Sequence, residues 1–215
     1  MTAARAGRIH SATRMRIPAA ALVMVMLCAG PALAQGLEKG VRGGVNFTNT
    51  SATGGDDGEA LDWQLRGVIG GFVTWRAASW LEVQPEVLYA LKGAKRSEFD
   101  IESKLLLDYL EVPLLARKTF GAPDATGFYV AGGPSIGILL RARTRADFGS
   151  STEEIDIKDD VETLDFGVVI AGGVEFGSIV VDGRYTHGFS DIDKDTSDDA
   201  GMANRAVSLT VGIKF

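Results

Sequence analysis

Apolar and polar residues alternate along most of this chain with a period of two, the repeat of an extended strand whose side chains leave on opposite faces. The final stretch, Ala203–Phe215, states it most cleanly. Val207, Leu209, Val211, Ile213 and Phe215 share one face, while Ala206, Ser208, Thr210, Gly212 and Lys214 share the other. The same pattern predicts seven strands upstream: Arg42–Thr48, Leu65–Arg76, Trp80–Lys92, Leu105–Phe120, Phe128–Arg143, Glu162–Phe176 and Ile179–Phe189. Around Leu106 to Tyr109 the alternation breaks, which points to a bulge. Pro85, Pro113 and Pro134 lie within the strands; because proline donates nothing to a ladder, they are expected at bulges or near strand ends.

The connections alternate in length. Asn49–Asp62, Gly93–Ser103, Thr144–Asp160 and Ser190–Met202 are long, polar and mostly acidic, whereas Ala77–Ser79, Gly121–Thr126 and Gly177–Ser178 are short. Eight strands joined in this way predict an all-β, eight-stranded antiparallel up-and-down barrel. Its short turns gather at one end and its long acidic loops at the other.

The first residues place that barrel. Arg5, Arg8, Arg14 and Arg16 form a positive leader without acids, Ala19 to Leu27 is an apolar run, and Ala32-Leu33-Ala34 precedes Gln35. This is the layout of a secretory signal, and the apolar run is short of the roughly 20 residues a spanning helix needs. The expected organisation is therefore a cleaved signal peptide over 1–34 and a barrel domain over 35–215. Cys28 is preceded by Leu27 rather than the small residue of a lipidation site, and it leaves with the signal. The exported part then has no cysteine and must be held by its core or by a membrane. The whole chain has 22 Lys+Arg against 28 Asp+Glu; removing the four leader arginines leaves 18 against 28, a net charge of −10. Such an acidic surface argues against nucleic acid as a partner.

Alternation alone does not say which face meets lipid, since a soluble lipocalin-like barrel has the same pattern turned inside out. Two other features do. The aromatics fall near both ends of the strands: Trp75, Trp80, Phe120, Phe128, Phe176 and Phe215 toward the turns, and Phe47, Tyr89, Phe166, Tyr185 and Phe189 toward the loops. That is the placement of two interfacial girdles. The polar face carries both signs of charge among small residues. Arg42, Glu82, Glu86, Glu111, Arg117, Arg141, Asp165, Glu175, Asp182, Arg184 and Lys214 are expected to line a narrow lumen crossed by ion pairs, since an arginine on the lipid face near the midplane costs roughly 2–4 kcal/mol.

Several short motifs, in this order, resemble one family. They are Gly43-Gly44-Val45-Asn46, Glu82-Val83-Gln84-Pro85-Glu86, Tyr109-Leu110-Glu111-Val112-Pro113-Leu114, Gly132-Gly133-Pro134 and Arg184-Tyr185-Thr186-His187-Gly188-Phe189. Together they resemble the small outer membrane protein β-barrel domain proteins, the porin-family or PorT-like barrels. The resemblance implies an integral protein of the outer membrane of a Gram-negative bacterium, and it transfers no catalytic residue. The expected partners are outer-membrane lipid and lipopolysaccharide, and the outer-membrane assembly machinery through the C-terminal strand. No cofactor is expected.

An eight-stranded interior is only wide enough for its own side chains. The expected function is thus a non-enzymatic envelope protein that acts through its outer loops or in membrane integrity. The alternative is a narrow channel or transporter for small solutes. A further alternative is a lipid A hydrolase, because His187 and Ser190 faintly resemble the base and nucleophile of lipid A deacylases; their spacing differs, and a regular strand puts them on opposite faces. Asp191, Asp193 and Asp195 begin like a calcium loop, but Thr196 and Met202 stand where that loop needs glycine and glutamate.

Overall fold

The computed structural model describes residues 37–53, 62–98, 101–121, 126–147, 152–190 and 201–215. The expected signal segment 1–34 and the Asp191–Asp195 run lie outside the described residues. Among the described residues there are nine strands: β1 (Leu37–Thr53), β2 (Gln64–Ala78), β3 (Leu81–Glu98), β4 (Ile101–Phe120), β5 (Gly127–Asp147), β6 (Thr152–Asp156), β7 (Leu164–Phe176), β8 (Ile179–Gly188) and β9 (Gly201–Lys214). Eight of them pair antiparallel in the order β1, β2, β3, β4, β5, β7, β8, β9. β9 then returns to β1, from Gly40 opposite Lys214 to Thr53 opposite Gly201, and the barrel is closed. It has no free sheet edge inside a bilayer.

The alternation becomes a difference in exposure. On β9, Leu209, Val211 and Ile213 are more than half exposed, whereas Ala206, Ser208 and Thr210 are buried. Across the molecule the exposed positions are the large apolar ones, including Ile69, Trp75, Leu114, Phe128, Ile170 and Phe176. Apolar outside and polar inside is the inversion that separates a membrane barrel from a soluble one.

The ninth strand was not expected. β6 pairs with the end of β5, from Arg143 opposite Asp156 to Asp147 opposite Thr152. It prolongs the line of β7 across an excursion, because Ile157 N–H donates to Ala142 O and Leu139 N–H to Thr163 O on either side of it. The expected loop Thr144–Asp160 is therefore partly strand, and so is Gly93–Ser103, where β3 and β4 pair from Lys95–Lys104 to Glu98–Ile101. Beyond the membrane both faces of a strand meet water, so backbone pairing continues without an apolar stripe to announce it.

The prolines also differ from expectation, since all three lie inside strands. Pairing lapses beside each one. β2 and β3 are unpaired between Phe72–Glu86 and Trp75–Val83, β3 and β4 between Pro85–Leu114 and Leu88–Glu111, and β4 and β5 between Pro113–Ser135 and Ala116–Gly132. The bulge is real but sits on the neighbouring strand. Asp108 pairs with Arg141 and Tyr109 with Leu139, so the extra residue is Leu140. Gly177, at φ 57°, makes the two-residue turn into β8.

Candidate functional site

The inward side chains form layers along the axis. Near the turn end, Arg117 lies 2.5 Å from Glu175 and 3.5 Å from Glu82, and Lys214 lies 3.3 Å from Glu175 and 3.0 Å from Glu38. Arg117 also stacks over the Tyr129 ring, with its guanidinium carbon 4.0 Å from the centroid.

The middle layer is the most heavily charged. Arg184 reaches Glu86 at 2.5 Å and Asp182 at 2.9 Å; Arg42 reaches Asp182 at 2.6 Å and Glu86 at 3.6 Å. Two guanidiniums thus face two carboxylates, and all four residues are buried. Neutral donors complete the carboxylates. Thr210 Oγ1 donates to Asp182 at 2.6 Å, Gln84 Nε2 to Glu86 at 2.6 Å, and the Tyr129 hydroxyl also donates to Asp182. Phe72 closes the side with its ring 4.4 Å from the Arg42 guanidinium. Charges this far from water are tolerable only when paired and fully hydrogen-bonded, and here five strands, β1, β3, β5, β8 and β9, contribute to that end.

Toward the loop end, Lys92 lies 2.5 Å from Glu111 and 3.5 Å from Asp165, and Asn204 Nδ2 donates to Asp165 at 2.9 Å. Lys92 is absent from the sequence-based set. It ends the expected third strand, and its parity with Gln84 and Glu86 was the available signal. Above it the lumen turns apolar: Leu107, Tyr109, Leu139 and Ala142 pack with Val161, which the excursion after β6 folds over them. Among the described residues, two small cavities lie between these layers, each with about 10 Å³ of room for a water centre. Each accommodates one water at most.

Of the expected lumen charges, Arg42, Glu82, Glu86, Glu111, Arg117, Asp165, Glu175, Asp182 and Arg184 take part in these inward layers. Arg141 does not. The Leu140 bulge advances the phase by one residue, so Ala142 points inward at 0% exposure and Arg141 stands exposed on the outer wall. The aromatics Trp75, Trp80, Phe120, Phe128, Phe166, Phe176, Tyr185 and Phe215 are exposed on the outer surface. Tyr89 is half-buried, because its hydroxyl donates to Asp108 at 2.9 Å.

His187 and Ser190 are not brought together. The His187 ring lies between Tyr185 and Phe189, 5.2 Å from the latter's centroid, and Ser190 Oγ accepts the Phe166 N–H at 2.8 Å. Among the described residues no group of three or more His, Cys, Asp or Glu is placed to hold a metal ion.

The family described as "Outer membrane protein beta-barrel domain" matches residues 33–194. No curated protein sequence matches the chain. Among solved structures, the chain is similar to Neisserial surface protein A (14% identity, 84% of this chain and 100% of that one, TM-score 0.44). It is also similar to OprG from Pseudomonas aeruginosa (13% identity, 84% and 97% covered, TM-score 0.46). A third likeness is Ail, the attachment invasion locus protein of Yersinia pestis (14% identity, 84% and 100% covered, TM-score 0.40).

Proposed function

Because the chain belongs to the outer membrane protein beta-barrel domain family and resides in the cell outer membrane, we propose that it is a non-enzymatic barrel whose lumen is closed by charged side chains. It acts through its long loops, held on the extracellular side, or by contributing to membrane integrity. The observation that carries this reading is the buried layer of Arg42, Glu86, Asp182 and Arg184, with interior space for single waters on its loop side. An ion crossing the barrel would have to break two buried pairs at once, and separating one such pair costs about 3–5 kcal/mol.

Support for a non-enzymatic role comes from the one Ser/His candidate, in which the His187 ring packs with Tyr185 and Phe189 while Ser190 Oγ accepts the Phe166 N–H, so no hydrogen bond joins base and hydroxyl. The transport alternative makes the opposite forecast for one measurement. The refolded protein, first shown folded by a heat-dependent gel shift, is placed in a planar bilayer. Silence at all applied voltages is the expected result; discrete, reproducible openings would establish a conducting path and overturn the closed-lumen reading.

A further inference from the structure

The buried charges of the lumen do not balance. The middle layer sets Arg42 and Arg184 against Glu86 and Asp182, and the layer toward the loops sets Lys92 against Glu111 and Asp165. One cavity, lined by Lys92, Glu111 and Arg184, joins the two layers. Four carboxylates therefore share three cations in one buried region. Arg66 does not make up the difference, because Asp108 engages it at 3.6 Å. A buried charge left without a partner is strongly disfavoured, so the region calls for one more positive charge.

The deficit is sharpest at Asp165, which is 6% exposed. Its Oδ2 accepts from Asn204 Nδ2 at 2.9 Å and lies 3.5 Å from Lys92 Nζ, whereas its Oδ1 has no hydrogen-bond partner among the described residues. Lys92 leans instead on Glu111, at 2.5 Å. The second cavity lies against Asp165 and is lined also by Glu111, Ser135, Thr186 and Gly188. Gly188 keeps the space beside the orphan oxygen clear, since a Cβ there would stand 2.8 Å from Asp165 Oδ1. The room, about 10 Å³, fits one particle the size of water. Two carboxylates and two hydroxyl-bearing side chains around such a space form an all-oxygen set, the kind that hard cations take. A water there would satisfy Oδ1 but bring no charge, and a proton would bring the charge but leave the space; a small cation does both.

We propose that Asp165 and Glu111, with the hydroxyls of Ser135 and Thr186, bind one dehydrated alkali cation inside the lumen. Its single charge matches the deficit of one. A divalent ion would overshoot it and would find only two carboxylates. The Val161 cap lies above the site, so the cation is taken up as the barrel folds, and its binding is read in the folding equilibrium.

The test uses the refolded full chain in lipid vesicles, unfolded by urea and followed by the gel shift, with sodium chloride exchanged for choline chloride at constant ionic strength so that screening is unchanged. A ligand held only by the folded state raises the folded-to-unfolded ratio in proportion to its concentration once the site is filled. The wild type should thus gain close to tenfold in that ratio for a tenfold rise in sodium. Asp165→Asn, which removes the excess charge and keeps an oxygen for Asn204, should lose this dependence. Thr186→Val, which removes one hydroxyl and leaves every charge in place, should weaken it, and this variant decides the matter if Asp165→Asn does not fold. A wild type with the same ratio in sodium and in choline would overturn the proposal and assign the missing charge to a proton. An equal gain from sodium in the wild type and both variants would place the effect on the acidic loops and overturn it as well.

Discussion

Arg184 spans Glu86 and Asp182, and shortening it to methionine would leave two buried carboxylates with Arg42 alone between them. Arg184→Met is expected to cost about 3–5 kcal/mol, because an uncompensated buried charge is penalised by its lost hydration. Urea unfolding in lipid vesicles, followed by the gel shift, would read this as a lower midpoint. Tyr129→Phe removes only a neutral donor to Asp182, whose other acceptor sites remain occupied by Arg42, Arg184 and Thr210. Its expected cost is about 1 kcal/mol, and a loss as large as that of Arg184→Met would show that the phenol is the mainstay of the layer. The inward positions of Arg42, Glu86, Asp182 and Arg184 could be read by counting along the strands. Their mutual distances could not, because they come from strands far apart in sequence, Arg42 being 140 residues from Asp182.

Strands that alternate toward lipid carry a directional penalty. Leu209→Arg, near the middle of β9 and 55% exposed, should destabilise the barrel by roughly 2–4 kcal/mol. A much smaller effect in the same unfolding assay would argue that this face of β9 does not meet hydrocarbon. The prolines act differently, by removing donors from three neighbouring ladders. Averaged over the residues that flank the gaps, Val73, Thr74, Gln84, Glu86, Val87, Val112, Leu114, Leu115 and Gly133, amide hydrogen exchange should therefore be faster than over Val41 to Phe47 and Val207 to Val211 in the unbroken β1–β9 ladder. Equal average protection in the two sets would mean that the gaps are closed by local rearrangement. The strand interiors were legible because one of their faces is apolar. The extensions above the membrane and β6 were not, since Arg143–Asp147 and Thr152–Asp156 pair with water on both sides and show no alternation of hydropathy.

On the closed-lumen reading proposed above, the barrel interior is blocked at two levels among the described residues, by the ion-pair layer in the middle and by the Val161 cap at the loop end. Replacing residues 157–162 with glycine and serine should remove the cap and leave the bilayer silent, because the central layer is untouched. Openings in that variant alone would make the cap the true closure. The sequence by itself determined the eight-stranded count, the up-and-down order and the phase of nearly every strand. Those properties follow from side chains alternating along a backbone, a rule that needs no knowledge of distant partners. The aromatics at both strand ends and the mixed charges of the polar face also determined which face turns outward, because charge is costly against lipid. Only the tertiary structure decided two things. It paired Arg42 with Asp182 and Lys92 with Glu111 across the lumen, and it moved Arg141 to the outer wall through a single extra residue on β5. The physical reason is the same for both: register and closure are set by hydrogen bonding between strands, and a strand's own sequence carries its period but not its neighbour's offset.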